Sequence, residues 1–381
     1  MDARPLTGSP PKLPFADLNR IHAPLKSAIL QDVAELIDSG AFLGGAAVAA
    51  FEADFANYCG TALCVGVSSG LDALRIALLA AGIEPGDEVL VPAMTFVATL
   101  EAVTQAGGTP VVVDIGADDR NMDVAAAAAA VTERTRFVAP VHLYGQMADM
   151  RALRRLAERH GLRVVEDACQ AHGATRDGLR AGSGGDAGAF SFYPGKNLGA
   201  MGDAGALVTG DPRLAEAARA LRQHGERRRY EHEVQGYTAR LDALQAVVLR
   251  RKLALLEEWN EERSRAARFY HDALEGVGDL TLPAVPAGSR PVWHLYVVRT
   301  ANPDAVAGFL RGHGIETRRH YPLPVHLTPA FASLGHREGD FPEAEALARE
   351  GLSLPLFPGI SERELERVAE ALRAHHFTAR T

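Results

Sequence analysis

Between residues 63 and 209 the chain alternates between two kinds of segment. Seven short runs are almost wholly apolar: LCVGV (63–67), EVLVP (88–92), PVVVD (110–114), RFVAPV (136–141), RVVED (163–167), GAFSFY (188–193) and GALVT (205–209). They are rich in β-branched or aromatic residues and lack the polar alternation of a half-exposed strand, so they suit strands covered on both faces. Between several of them lie LDALRIALLAAG, FVATLEAVTQAG, VAAAAAAV and MRALRRLAERHG, whose apolar residues fall at helical spacing. Strands that alternate with helices imply an α/β fold with a mostly parallel seven-stranded sheet. In that setting the alanine run at 125–130 reads as a helix.

The flanks differ. The proline-rich start predicts an extended N-terminal arm over 1–23, and PLKSAILQDVAELIDS predicts a helix that stops before Gly40. From about residue 240 the stretch LDALQAVVLRRKLALLEEWNEERSRAARFYHDAL is helical and long enough to bridge two domains. WHLYVVRT, PDAVAGFLRGHG and ERELERVAEALRAHH then suggest a smaller C-terminal α+β domain. The expected organisation is an arm at 1–23, a large domain at 24–239 and a bridging helix with a small domain at 240–381.

Composition narrows the function. The 381 residues are 47% hydrophobic and 23% charged, with a formal net charge of -8, so no global basic field draws nucleic acid or anionic lipid. The opening MDARPLTGSPPKLPF lacks a signal-peptide core, and no segment approaches the roughly 20 apolar residues that cross a bilayer. Three cysteines, Cys59, Cys64 and Cys169, without a CxxC, suit reduced thiols in a cytoplasmic protein. The histidines show no HExxH spacing, and no metal site is expected.

In an open α/β sheet, ligands lie beyond the carboxyl ends of the strands. Three stretches fall there. In VSSGLDAL, Ser69, Gly70 and Leu71 open a helix after a strand; the turn is either a plain N-cap or an anion site. In VVEDACQAHG, Asp167 ends a buried strand, where a carboxylate needs a partner such as a loop N–H or a protonated heterocycle. In FSFYPGKNLGAMGDAG, Ser191 and Lys196 flank another strand exit. Lys196 is either a surface turn residue or a partly desolvated amine serving as nucleophile and base. Phosphate anchor, carboxylate and isolated lysine are together the parts of a pyridoxal phosphate site, with Phe96 available to cover the ring.

These stretches, with GDEVLVPAMTFVATLEAVTQAGGTPVVVDI, VHLYGQMADM, GYTARLDALQAVVLRRKL and HYPLPVHLTPAF, resemble the DegT/DnrJ/EryC1/StrS family. These are sugar aminotransferases of the fold-type I pyridoxal phosphate enzymes. The resemblance spans about residues 60 to 360. It implies that Lys196 forms the Schiff base with the cofactor and that Asp167 pairs with its pyridinium nitrogen. It places Gln170 near the ring hydroxyl, Phe96 on the ring and Ser191 at the phosphate. It also implies a homodimer with shared active sites. Many relatives have Asn where this chain has Thr238, which leaves Arg240 as the residue expected to reach the phosphate from the partner subunit.

The reaction implied moves the amino group of L-glutamate, leaving 2-oxoglutarate, to a nucleotide-diphosphate-linked keto-6-deoxyhexose, with TDP the expected carrier. HYPLPVH resembles the pocket loop of relatives that aminate the 3-keto position, nominating Tyr321 and His326 for the substrate; a 4-keto sugar is the competing substrate. The arginine runs in HGERRRYEHE and ETRRHYP offer cations for the diphosphate. The Ala-, Arg- and Gly-heavy composition tilts the setting from a surface glycan to an antibiotic sugar. The alternatives are another fold-type I lyase or racemase, and a regulatory protein that binds the cofactor without turnover.

Overall fold

The computed structural model describes residues 12–378. The central sheet contains β1 (Leu63–Val67), β2 (Glu88–Pro92), β3 (Thr109–Val113), β4 (Thr135–Val138), β5 (Arg163–Asp167), β6 (Ala187–Ser191) and β7 (Gly205–Thr209). Their spatial order is β1-β7-β6-β5-β4-β2-β3. Only β7 runs against its neighbours, pairing antiparallel with both β1 and β6. The exits of β1, β2, β5 and β6 therefore share one edge of the sheet. RFVAPV breaks early, after Val138, because Pro140 has no N–H to donate; Val141 keeps just an isolated bridge to Asp167.

The helices are α1 (Leu18–His22), α2 (Lys26–Ser39), α3 (Gly45–Cys59), α4 (Gly70–Ala80), α5 (Ala98–Gln105), α6 (Val124–Ala129) and α7 (Met150–His160). They continue as α8 (Pro212–Leu221), α9 (Ala243–Leu253), α10 (Leu256–Leu274), α11 (Pro303–Gly312), α12 (Pro342–Glu350) and α13 (Glu362–Thr378). On one sheet face, side chains such as Val65 and Val67 pack against α4, α5 and α8. On the other, Cys64 and Phe190 pack against α3, α6, α7 and α9. This two-sided cover explains why the strands read as continuous apolar runs. The alanine stretch is the short helix α6, started by Asp123, whose carboxylate accepts from the Ala126 N–H.

A hairpin, β8 (Glu226–Arg228) with β9 (Glu231–His232), leaves the sheet after α8. A separate core surrounds β10 (Tyr296–Arg299), paired antiparallel with β11 (Gly351–Leu354), and takes apolar residues from α10, α11 and α13. The long helical stretch breaks at Ala254–Leu255 because its halves bury different faces. Ala243, Ala246 and Leu249 enter the sheet core, whereas Ala266, Tyr270 and Leu274 enter the second core.

Residues 1–11 of the expected arm lie outside the described residues. From residue 12 the arm is not simply extended. Leu13 is buried in the second core, and Asp17 accepts from the Asn19 and Arg20 N–H groups to start α1. The capping signal of Asp17 outweighs the proline-rich context. Among the described residues no helix is long and apolar enough to cross a membrane, and no cluster of three or more His, Cys, Asp or Glu could hold a metal ion.

Candidate active site

Glu166 and Asp167 are consecutive on β5 and therefore point to opposite faces. Glu166 is fully buried. His142 Nε2 lies 2.7 Å from its carboxylate, and the backbone N–H groups of Gly182, Gly184 and Gly185 donate to it. That is a structural clamp on a glycine loop. Asp167, 6% exposed, faces the strand exits. Thr99 Oγ1 donates to Asp167 Oδ2 at 2.8 Å, and the Cys169 N–H donates to Oδ1 at 3.1 Å. Thr99 is itself fixed by Thr95, four residues earlier in the loop that leads into α5. These two donors leave lone-pair capacity for a cationic partner on the open side.

The Lys196 loop leaves β6 through a cluster of buried aromatics. Phe192 packs edge-on to Phe51 and Phe55, with ring centroids 5.4 and 5.1 Å away. A Phe192→Ala change there costs about 3–5 kcal/mol by the usual core-truncation scale. The loop closes as a turn in which the Lys196 N–H donates to the Tyr193 carbonyl, with Pro194 in the second position that favours it. From α9, Gln245 grips both backbone groups of Met201, and Lys252 donates to the Gly199 carbonyl. Asn197 is held from α10 by Asn260.

The half-buried Lys196 amine has no hydrogen-bond partner among the described residues. Burial lowers its pKa below that of a free lysine, and the neighbouring Cys169 and Asp167 offset part of that effect. Nearby imidazoles are shifted toward their neutral form. Burial first, and the lysine charge second, push His172 down to about 3 and His294 well below the ordinary histidine value. His320 falls to about 4 through burial, then Arg318 and Lys196.

At the exit of β1, Ser69 caps α4 by accepting from the Asp72 N–H. Gly70 follows because the cradle is crowded: a Cβ there would meet the Ser191 Cβ at 2.5 Å. Ser69, Gly70 and Ser191 thus converge, with Leu71 on the first turn of α4. A helix N-terminus flanked by a hydroxyl suits a phosphate. Phe96, at the exit of β2, leaves its ring 51% exposed and 5.6 Å from the Tyr321 ring. Gln170 is buried, accepting from the Tyr144 N–H and donating to the Tyr321 hydroxyl at 3.2 Å. Unpaired amine, carboxylate, anion cradle and exposed aromatic face together fit pyridoxal phosphate.

One expected residue lies away from the cleft. His326 is 1% exposed, packed on Phe341 and paired with Glu345 at 3.1 Å. That closed packing gives it a core position, so the expected substrate contact is corrected: Tyr321 faces the cleft and His326 does not. Arg240 lies beside its own Val67 through an isolated bridge, with its buried Nε unpartnered. Thr238 is exposed and bonds His224 at 3.0 Å. Sequence reasoning passed over Thr99, Tyr144, Asn197 and His294. Thr99 carried a usable signal, its i, i+4 pairing with Thr95 immediately around Phe96.

A model of the DegT/DnrJ/EryC1/StrS aminotransferase family matches residues 24–373. The chain is 49% identical over 363 residues to a dTDP-3-amino-3,4,6-trideoxy-alpha-D-glucose transaminase of Streptomyces venezuelae, covering 95% of this chain and 96% of the relative. It is 46% identical to a UDP-N-acetyl-3-dehydro-alpha-D-glucosamine 3-aminotransferase of Acidithiobacillus ferrooxidans, covering 95% and 97%. Among solved structures, S. venezuelae DesV in complex with a ketimine intermediate superposes with a TM-score of 0.94 at 49% identity, covering 96% of this chain and 98% of that one.

Proposed function

The chain belongs to the DegT/DnrJ/EryC1/StrS aminotransferase family, and from that premise we propose that it moves the amino group of L-glutamate onto a TDP-linked 3-keto-6-deoxyhexose. It is a pyridoxal phosphate-dependent aminotransferase. When bound, the cofactor supplies an electron-accepting ring and a carbon that carries the amino group between donor and acceptor. Lys196 would anchor the cofactor and, once free, would carry the proton removed from one partner and returned to the other. Its lowered pKa keeps more of the free amine unprotonated for that work.

Asp167, fixed by Thr99, would keep the ring nitrogen protonated. The α4 N-terminus at Ser69, Gly70 and Leu71, with Ser191, would take the phosphate. Phe96 would cover the ring, and Gln170 would sit by its hydroxyl. Arg240 of the partner subunit would complete the phosphate site in a homodimer; supporting this, its Nε finds no acceptor among the described residues of its own chain. Leu30, Ile37, Phe42 and Leu43 are exposed around α2 and α3, a surface suited to a second copy. Three free cysteines fit a cytoplasmic setting.

The 3-keto position is favoured because both relatives described above carry a 3-amino or 3-aminotransferase name on different nucleotides. Of the arginine runs, Arg319 is spent on the carbonyls of Ala348, Arg349 and Gly351. Arg227 is spent on Glu216 and Glu233. Among the described residues Arg228, Arg229 and Arg318 lack a carboxylate partner; Arg229 bonds the Tyr230 hydroxyl instead, and we assign Arg228 and Arg318 to the diphosphate. The single observation that carries the reading is the Lys196 amine, without a hydrogen-bond partner among the described residues, near the fixed Asp167 carboxylate. Supplying TDP-linked 3-keto and 4-keto sugars with glutamate tests it. 2-Oxoglutarate formed with the 3-keto sugar supports the assignment, and turnover with the 4-keto sugar alone overturns it.

A further inference from the structure

One buried tyrosine ties the loop that carries Tyr321 to Gln170 in the candidate site. Tyr144, 7% exposed, sits in the short turn at 143–145 that follows β4. Its φ of 58° lies in the left-handed region, which a bulky side chain rarely adopts, so bonds to its neighbours must hold it there. Three such bonds are present. The Tyr144 N–H donates to Gln170 Oε1 at 2.8 Å, and its carbonyl accepts from the Leu295 N–H at 3.3 Å. Its hydroxyl donates to the His320 carbonyl.

The backbone members fix the polarity of this network. An N–H can only donate, so Gln170 turns Oε1 toward Tyr144 and Nε2 toward the Tyr321 hydroxyl, 3.2 Å away. A carbonyl can only accept, so Tyr144 supplies the proton to His320. Burial raises the Tyr144 pKa, which keeps that proton in place. His320 and Tyr321 are consecutive, so the bonds close a ring: Tyr144 to Gln170, Gln170 to Tyr321, and His320 back to Tyr144.

The same loop is anchored on both cores. His320 Nδ1 lies 2.8 Å from Ser353 Oγ on β11, and the backbones of Arg318 and Ser353 exchange bonds of 3.2 and 2.8 Å. At the far end the Val325 N–H donates to the Ala93 carbonyl, just after β2, at 3.0 Å. Between these anchors Tyr144 and Gln170 bond the loop to the cofactor side of the cleft.

We propose that Tyr144 is a positioning residue for the sugar half of the reaction: its N–H sets Gln170 and its hydroxyl sets the 320–321 loop, so that Tyr321 is held in one place against the cofactor site. The proposal rests on the reading of Tyr321 as a substrate residue. Glutamate brings no sugar for that loop to seat, so the two halves of the reaction should respond differently to loss of the hydroxyl.

Tyr144→Phe is the test, because it keeps the ring and the N–H bond to Gln170 and removes the hydroxyl. Expected is a rise of about three- to tenfold in KM for the TDP-linked 3-keto-6-deoxyhexose, the scale of one lost hydrogen bond. The glutamate half-reaction, followed by cofactor absorbance, should stay within about twofold of wild type. In the cofactor-free variant, amide hydrogen exchange across residues 318–325 should be faster than in wild type. An unchanged sugar KM, unchanged exchange, or a glutamate half-reaction slowed as much as the sugar half overturns the proposal. The exchange comparison needs neither cofactor nor substrate, so it tests the tether even where the functional reading fails. Wild-type protein inert toward glutamate would mark that other failure.

Discussion

At the scale of single residues, the cofactor cradle is set by steric exclusion as much as by charge. Gly70 lies where β1, β6 and α4 converge, and an added Cβ would come within 3.1 Å of the Ser191 Cα. Backbone cannot yield as a side-chain tip does. Gly70→Ala is expected to weaken pyridoxal phosphate binding at least tenfold while lowering stability by about 1–3 kcal/mol, the usual range for overpacking. Cofactor titration and thermal unfolding read the two effects separately. Lys196→Ala should reduce amino transfer by about 10²–10⁴-fold, the range for loss of a positioned acid–base group. Lys196, Asp167 and the Ser69–Gly70 turn were legible in the sequence because each is an oddity in its local run: a lone cation among glycines, a carboxylate ending an apolar strand, a cap before a helix. His294 was not, because its meaning depends on approaches between segments far apart in the chain; Thr99 showed locally through Thr95, but its bond to the remote Asp167 did not. His326 misled for the converse reason. Its motif resembles a pocket loop, but the fold turns the ring toward Phe341 and Glu345.

At the scale of elements, the strands were readable because double-sided burial leaves no polar register to blur them. EVLVP, RVVED and GALVT coincide with β2, β5 and β7. Helix α1 was hidden by its shortness and by the prolines around it. It nevertheless matters, since Arg20 on α1 bonds both carboxylate oxygens of Glu364 on α13 and the Gly359 carbonyl. Arg20 first, helped by Ser361, holds the Glu364 pKa down at about 2. A folded-state pKa below the unfolded one stabilises above the unfolded value and loses that contribution as pH falls through the folded value. Glu364→Gln should therefore cost roughly 1–2 kcal/mol near neutral pH, after allowance for partial exposure. The gap from wild type should narrow as pH drops from about 4.3 toward 2, and denaturant unfolding across that range checks it.

At the scale of the whole molecule, the proposed dimer makes each site depend on two chains. Mixing Lys196→Ala with Arg240→Ala protein tests this. If Arg240 serves the partner, one site of the mixed dimer holds an intact lysine and an intact arginine, so mixing inactive stocks should restore activity. No restoration would place Arg240 in its own chain's cradle, next to Val67. Sedimentation should give twice the 40.6 kDa chain mass.

The central claim concerns one amine, and the chain contains few competitors: its lysines are Lys12, Lys26, Lys196 and Lys252. Lys252 is the demanding control, because burial lowers its pKa to about 8, while its amine is enclosed and donates to the Gly199 carbonyl. Protein loaded with pyridoxal phosphate, reduced with borohydride and mapped by peptide mass, should carry the vitamin B6 adduct on Lys196. An adduct on Lys252 instead, or on no lysine at all, would contradict the account.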